Sequence, residues 1–140
     1  MKLTRPQALG LAALTAVTAL AACKPNEMPQ AEDGRRLFVE NCALCHGHGG
    51  AGDGPLADGL KPAPADLTRI SARNAGSFPR AEVLSTLDGY TRVDLPGTGM
   101  PEFGALLRGD LVPVDVGDGR LTPTPRRLVA LMEYLESIQD

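Results

Sequence analysis

The chain has 140 residues, a length that suits one globular domain and is short for most two-domain enzymes. Glycine (16) and proline (12) together make 28 residues, tryptophan is absent and only 4% of residues are aromatic. A core built from these side chains alone would be thin, so we expect a non-protein group in the interior. The formal net charge is −3 and basic residues occur singly or in pairs, which argues against nucleic-acid binding.

The N-terminal segment has the layout of an export signal. Lys2 and Arg5 precede an uncharged, mostly apolar stretch over residues 8–22, which is shorter than the roughly 20 residues that a transmembrane helix needs. Residues 20–23, Leu-Ala-Ala-Cys, resemble the lipobox of bacterial lipoproteins, and this resemblance implies cleavage before Cys23 and lipid attachment to it. An ordinary secretory signal and an uncleaved anchor are the alternatives, and both would also export the protein.

These features predict three parts of the chain. Residues 1–22 form a lipoprotein signal peptide, residues 23–31 form the lipidated cysteine and a proline-containing tether, and residues 32–140 form the folded domain. On this interpretation the exported protein is held at the membrane through Cys23 and faces the bacterial periplasm.

Two of the three cysteines belong to the motif Cys42-Ala-Leu-Cys45-His46. Two thiols at this spacing lie on one helical turn and can add to the two vinyl groups of a porphyrin, and C-x-x-C-H is an attachment signature for c-type haem. A thioredoxin-like site would need a preceding β strand, a zinc site would need a second pair of ligands, and a disulfide across so short a loop would be strained. We therefore predict one covalent haem c, with His46 as an iron ligand.

Met100 is the predicted second axial ligand. His48 is only two residues from His46 and cannot reach the opposite face of a porphyrin. Met132 lies on the apolar face of a predicted C-terminal helix, where methionine usually fills the core, and the two earlier methionines fall in the signal peptide and the tether. Met100 instead lies in a loop rich in glycine and proline, and a thioether ligand raises the potential of a haem.

Taken together, these residues resemble the monohaem class I cytochromes c. The matching stretches, which with two terminal helices cover most of residues 31–138, are residues 42–46, 47–55, 60–68 and Gly99-Met100-Pro101. The resemblance implies a mainly α class I cytochrome c fold, with three to four helices around one haem, and an electron-transfer protein that is not an enzyme. It also implies that the carbonyl of Pro55 accepts a hydrogen bond from Nδ1 of His46 and fixes its tautomer.

The resemblance further implies that the first helix crosses the last helix at a glycine. In the predicted helix over residues 31–44, Gly34 and Phe38 share one face, and the last helix offers Leu131 and Tyr134 to meet them. A glycine inside a helix costs about 1 kcal/mol relative to alanine, and a close helix crossing would explain it.

Local patterns predict the remaining elements. A middle helix is predicted over residues 78–87, and Gly89 is predicted to stop it. The last helix is predicted to begin with Thr124 as its N-cap and Pro125 at its first position. Residues 112–122 alternate and turn like a small β hairpin, which we interpret as an insertion near the Met100 loop.

Two other sequence patterns have structural explanations. Gly47, Gly49 and Gly52 fit the dinucleotide fingerprint, but they follow the haem motif rather than a strand, and we expect them to let the backbone pass close to the porphyrin edge. Asp115 and Asp118 could bind calcium, but turn chemistry accounts for them.

The predicted function is a membrane-tethered one-electron carrier that serves redox partner proteins. Candidate donors to the haem propionates, each of which could equally be a solvated surface residue, are Arg69, Arg73, Tyr90 and Arg92. One alternative is a fixed electron-transfer subunit of a larger respiratory oxidoreductase. Another is a gas-binding haem protein with an open sixth position, which requires Met100 to be off the iron.

Overall fold

The structure is a computed structural model that describes residues 27–90 and 99–140. Within these residues the fold is mainly helical, with one antiparallel hairpin. The helices are α1 (Ala31–Asn41), α2 (Ala43–His46), α3 (Ile70–Arg73), α4 (Arg80–Asp88), α5 (Phe103–Leu106) and α6 (Arg126–Ser137), and the strands are β1 (Leu111–Asp115) and β2 (Leu121–Pro125). Two short 3-10 turns occupy Ala57–Gly59 and Leu67–Arg69. The predicted signal peptide, Cys23 and Arg92 lie outside the described residues.

Helix α1 packs directly across α6 at Gly34, as predicted. A Cβ atom on Gly34 would lie 1.9 Å from the carbonyl oxygen of Ala130 and 2.7 Å from Cβ of Tyr134. One turn later Phe38 is fully buried, and its ring centroid is 5.1 Å from that of Tyr134. The missing side chain therefore lets two helix backbones touch, and the aromatic pair fills the space beside the contact.

The predicted helix over residues 31–44 is interrupted in the structure. Helix α1 ends at Asn41, and α2 begins at Ala43 after a break at Cys42. The middle helix α4 begins at Arg80, two residues later than predicted, and Gly89 follows it with a left-handed φ of 97°. A residue without Cβ adopts this conformation at no steric cost, which explains why the helix ends there.

The predicted start of the last helix is wrong by about one residue. Thr124 lies in β2, where its hydroxyl donates to the carbonyl of Thr122 at 3.1 Å, so it does not cap the helix. Pro125 occupies the N-cap position, and α6 begins at Arg126. The backbone N–H of Arg126 donates instead to the carbonyl of Asp110 at 2.8 Å. Thr124 and Pro125 therefore pair with β1, although the local sequence pattern predicted that they begin the helix.

The hairpin itself is confirmed. Val112 pairs with Thr124 and Val114 pairs with Thr122 in the antiparallel register, and the two valines are buried. In the turn, Oδ1 of Asp115 accepts hydrogen bonds from the N–H groups of residues 117 and 119, at 2.8 and 3.1 Å. These contacts give Asp115 a turn role, and within residues 27–90 and 99–140 no group of three or more metal-ligating side chains occurs.

Helix α6 also holds α4 in place. Arg80, at the start of α4, forms ion pairs with Glu133 and Glu136 on α6. Apolar residues of α4, among them Val83 and Leu87, join the same buried cluster as the apolar face of α6. None of the helices in the described part of the chain is long and apolar enough to cross a membrane.

We expect Gly34→Ala to destabilise the holo-protein by about 2–3 kcal/mol, because the new methyl group would meet a backbone carbonyl that cannot move independently of α6. The matched control is Gly59→Ala, since a Cβ there would have no neighbour within 4 Å, and its effect should stay within about 0.5 kcal/mol. Denaturant unfolding followed by circular dichroism measures both variants. Equal stabilities would contradict a close crossing at Gly34.

Candidate haem-binding cleft

A cleft between several helices contains the predicted haem ligands. It holds about 810 Å³ of empty space, including its open mouth. Its apolar wall is built from side chains of α1, α3, α4, α6 and the turn before α3, namely Phe38, Leu67, Ile70, Val83, Leu87, Leu131 and Leu135. Cys42, His46 and Met100 also line it. The fold therefore brings together three predicted site residues that are up to 58 positions apart in the sequence (from 42 to 100).

The two thiols of the motif lie on one helical turn. The N–H groups of Cys45 and His46 both donate to the carbonyl of Cys42, at 3.1 and 2.9 Å. Cys42 is buried, and its burial, together with the nearby Cys45, raises the pKa of the Cys42 thiol to about 12. Burial therefore favours the neutral thiol of Cys42 over its thiolate.

His46 is buried and its ring is held by one backbone carbonyl. Nδ1–H of His46 donates to the carbonyl oxygen of Ala65 at 2.9 Å. With the proton on Nδ1, the lone pair lies on Nε2, which is the form that can bind iron. This arrangement corrects the expectation that Pro55 supplies the carbonyl.

Pro55 is exposed and belongs to a segment that follows the backbone of α2. On either side of it, Gly54 donates its N–H to the carbonyl of Cys45 at 3.1 Å and Leu56 donates to that of Leu44 at 3.0 Å. A Cβ on Gly54 would lie only 2.6 Å from the Cys45 carbonyl. The glycine-rich loop therefore packs backbone against backbone here, and the predicted approach to a porphyrin edge stays a prediction.

Hydrogen bonds hold the segment that follows Ala65 in place. Oδ1 of Asp66 accepts hydrogen bonds from the N–H and the hydroxyl of Thr68, at 2.9 and 2.7 Å. The side-chain amide of Gln139, after the end of α6, donates to the carbonyl of Leu67 at 2.8 Å. These contacts anchor the residues immediately after Ala65, so the acceptor for His46 is positioned before any ligand binds.

The remaining candidate residues differ in their burial and in whether they line the cleft. Met132 is fully buried in the core, as predicted, whereas Met100 is half-buried at the cleft. Among the proposed propionate donors, Arg73 lines the cleft, whereas Tyr90 is 88% exposed. Asn74 lines the cleft beside Arg73, and nothing in the sequence distinguishes it, because a single polar residue at a helix end has no characteristic pattern.

These residues fit a c-type haem. The chain offers two thiols on one turn, an imidazole whose Nδ1 is already engaged, a thioether in the same cleft and apolar walls around them. Soft sulfur and imidazole donors together suit haem iron.

Comparison with known proteins points in the same direction. Residues 29–112 match the family described as cytochrome c oxidase, cbb3-type, subunit III. The chain is 35% identical over 97 residues to a cbb3-type cytochrome c oxidase subunit CcoP from Azospirillum sp. (strain B510), an alignment that covers 63% of this chain and 31% of the relative. The chain thus corresponds to less than a third of the length of that curated relative. No solved structure matches the chain with significance.

The chain belongs to the cbb3 oxidase subunit III family of cytochrome c domains. It is a monohaem electron-transfer domain that carries covalent haem c, and Cys42 and Cys45 fit the C-x-x-C-H attachment motif of such domains. The mainly helical fold and the family resemblance expected from the sequence are thereby confirmed.

Because of its hydrogen bonds, we expect Asp66 to make a pH-dependent contribution to the free energy of unfolding. The hydrogen bond from the Thr68 hydroxyl, followed by its backbone N–H and by Arg69 and Arg73, lowers the pKa of Asp66 below its ordinary value. A carboxyl group whose pKa is lower in the folded state stabilises the fold above its ordinary pKa of about 3.9, and this contribution is lost as the pH falls through the lowered value.

We therefore expect Asp66→Ala to lower the denaturation midpoint of the holo-protein at pH 7, with a difference from wild type that shrinks in strongly acidic solution. Asp58→Ala is the matched control, since Asp58 is an exposed carboxylate in a 3-10 turn. Denaturant titrations at several pH values measure both variants. A difference that stays constant down to low pH would contradict a role for the ionised carboxylate.

Proposed function

We propose that this protein is a membrane-tethered one-electron carrier whose haem is attached through Cys42 and Cys45 and whose iron is bound by His46 and Met100. The observation that carries the proposal is the placement of His46 and Met100 on one apolar cleft, with Nδ1 of His46 already engaged by Ala65. The match of residues 29–112 to a cytochrome c domain family supports electron transfer as the purpose of this cleft.

When bound, the haem supplies a one-electron ferric/ferrous couple. The chain contributes a fixed imidazole, because the Ala65 carbonyl holds the His46 ring in one tautomer and leaves the lone pair of Nε2 for the iron. Met100 contributes a neutral, soft ligand, which favours the ferrous state and raises the potential. Two ligands that stay bound in both oxidation states keep the structural rearrangement on electron transfer small.

The apolar wall of the cleft acts on the same equilibrium. Buried residues such as Phe38 and Leu131 exclude water from the interior and lower the dielectric around the site. The additional positive charge of ferric iron is less well solvated in such surroundings. The apolar wall and the thioether of Met100 therefore both raise the reduction potential of the haem.

Electrons would enter and leave beside Cys45. This cysteine is only half-buried, and the neighbouring Leu44 and Leu56 are 58% and 48% exposed. The Leu56 N–H donates to the Leu44 carbonyl, so the two leucines belong to adjacent backbone segments at this edge. An edge with little covering protein gives a partner the shortest approach to the haem.

The N-terminal sequence supports the tether and the location. The residues before Cys23 have the charge and apolar layout of a lipoprotein signal, and lipid attached there would hold the domain at the membrane on the periplasmic side. The name of the CcoP relative supports a second candidate, in which this domain is a fixed subunit of a terminal oxidase. Redox partner proteins are required in both cases.

Met100→Ala should open the sixth coordination position. We expect the haem potential to fall by on the order of 0.1 V, since axial ligands set haem potentials over about 0.8 V, and we expect the ferrous protein to bind carbon monoxide. Met132→Leu is the control, because it replaces a buried core methionine with a side chain of similar volume. Redox titration and optical spectra measure both. Carbon monoxide binding by the unmodified protein would favour the gas-binding alternative.

Cys23→Ser should abolish lipid attachment and leave covalent haem intact, whereas Ser in place of Cys42 and Cys45 should abolish covalent haem. Intact mass spectrometry of the membrane fraction, with haem staining after denaturing electrophoresis, reads both modifications. Extraction in mild detergent then separates the two functional candidates: elution as a single small protein supports the carrier, and co-elution with an oxidase supports the fixed subunit. Unmodified Cys23 in membrane-derived protein would contradict the lipid tether.

A further inference from the structure

The outer side of the hairpin carries four exposed apolar side chains although it faces solvent, and the exposed Asp115, which pairs with Leu121 next to the turn, lies on the same side. Leu111 and Leu121 are 61% and 68% exposed, and Pro113 and Pro123 are exposed between them. We call these four residues the leucine–proline face. Pro113 pairs directly with Pro123 in the strand register, so the four side chains lie on the same side of the ribbon.

The hairpin does not need this face for its own packing. Its other side carries Val112, Val114 and Thr124, which are buried in the domain. A hairpin packed on one side normally has polar residues on the other. Exposed leucines grouped on that second side therefore indicate a surface that contacts something outside the domain.

The backbone of the hairpin argues against another strand as the partner. Pro113 in β1 and Pro123 and Pro125 in β2 have no N–H to donate. A peptide or a second copy of the chain that added to this ribbon would lack hydrogen-bond donors at these positions. The face suits a partner that requires apolar contact and no backbone hydrogen bonds, which is the property of a lipid surface.

The N-terminal segment leaves the domain next to the hairpin. The guanidinium of Arg126 donates to the carbonyl of Glu27, so the N-terminal segment lies against the beginning of α6. Arg126 follows Pro125, which is the residue paired with Leu111. The chain therefore leaves the domain beside the end of the hairpin that carries Leu111.

Only a short stretch of chain separates this exit point from the predicted anchor. Cys23 is four residues before Glu27, and four residues span at most about 14 Å. A lipid on Cys23 would hold the bilayer surface within that reach of the hairpin base. The apolar face and the anchor are thus brought to the same membrane by the geometry of the chain.

We propose that the leucine–proline face rests on the lipid bilayer to which Cys23 is anchored, and that it gives the domain one preferred orientation there. This inference rests on the proposed lipid tether. Leu111 and Leu121 contact the acyl boundary, while Leu44 and Leu56 beside the haem motif stay in water and available to partners.

The test uses the lipidated holo-protein reconstituted into phosphatidylcholine vesicles. Hydroxyl-radical footprinting with mass spectrometry reads the solvent access of each leucine side chain. The four leucines have similar exposure in the domain, from 48% to 68%, so they serve as references for one another. We expect Leu111 and Leu121 to react at least about threefold more slowly than Leu44 and Leu56, because a bilayer excludes water from an inserted face.

A second measurement avoids dependence on one labelling chemistry. The chain contains no tryptophan, so Leu121→Trp provides a single emitter on the face, and Leu56→Trp provides the matched control at the haem edge. Each emission is compared between ordinary vesicles and vesicles with brominated acyl chains, and this ratio cancels quenching by the haem. We expect bromine quenching of the tryptophan at position 121 and none at position 56.

The outcomes separate the two proposals. Equal reactivity of the four leucines in a sample whose intact mass shows lipid on Cys23 overturns the docking proposal and leaves the tether intact. Protection that requires an added oxidase overturns it too, because the face would then contact protein. Absence of lipid on Cys23 overturns both the tether and the docking, since the distance argument depends on that anchor.

Discussion

The contact of Gly34 with the backbone of α6 is the constraint on which the rest of the structure depends. Glycine inside a helix costs about 1 kcal/mol, and here it allows α1 to lie directly on the carbonyl of Ala130. One turn later Phe38 is buried at the crossing and lines the cleft, and a further turn later Cys42 enters the same cleft. Because these residues follow at intervals of four, the position of the helix crossing determines where the haem motif lies.

Helix α6 acts as the common support for the site. It meets α1 at Tyr134, binds Arg80 of α4 through two glutamates, and is followed by Gln139, which holds the loop after Ala65. The match to the family covers residues 29–112 and stops before this helix. The part of the chain that carries the haem motif therefore depends for its geometry on a helix outside the matched region.

The hairpin lies almost entirely beyond the family match as well. Its buried side is explained by packing against the domain, and its exposed side is explained by the proposed contact with lipid. The exposed leucines beside Cys45 and those of the leucine–proline face come from different stretches of the chain. In the proposed function the first group serves redox partners and the second contacts lipid.

The sequence by itself identified the haem-attachment motif, and its resemblance to a known family indicated the main helical contact. The C-x-x-C-H motif occupies five consecutive residues, so its meaning does not depend on the fold, and Gly34 with Phe38 is visible as a helical spacing of four. The β hairpin was also predictable, because alternation and turn residues are local signals. Met132 could be assigned to the core for the same reason, from its place on an apolar helix face.

Only the tertiary structure decided which carbonyl holds His46, where the helices break and begin, and which polar side chains reach the cleft. Every residue has a carbonyl, so Ala65 could not be distinguished from Pro55 by residue type. Thr124 and Pro125 look like the start of a helix, but pairing with β1 places Thr124 in a strand. Local patterns record what a segment can form alone, whereas these choices depend on contacts with residues far away in the chain.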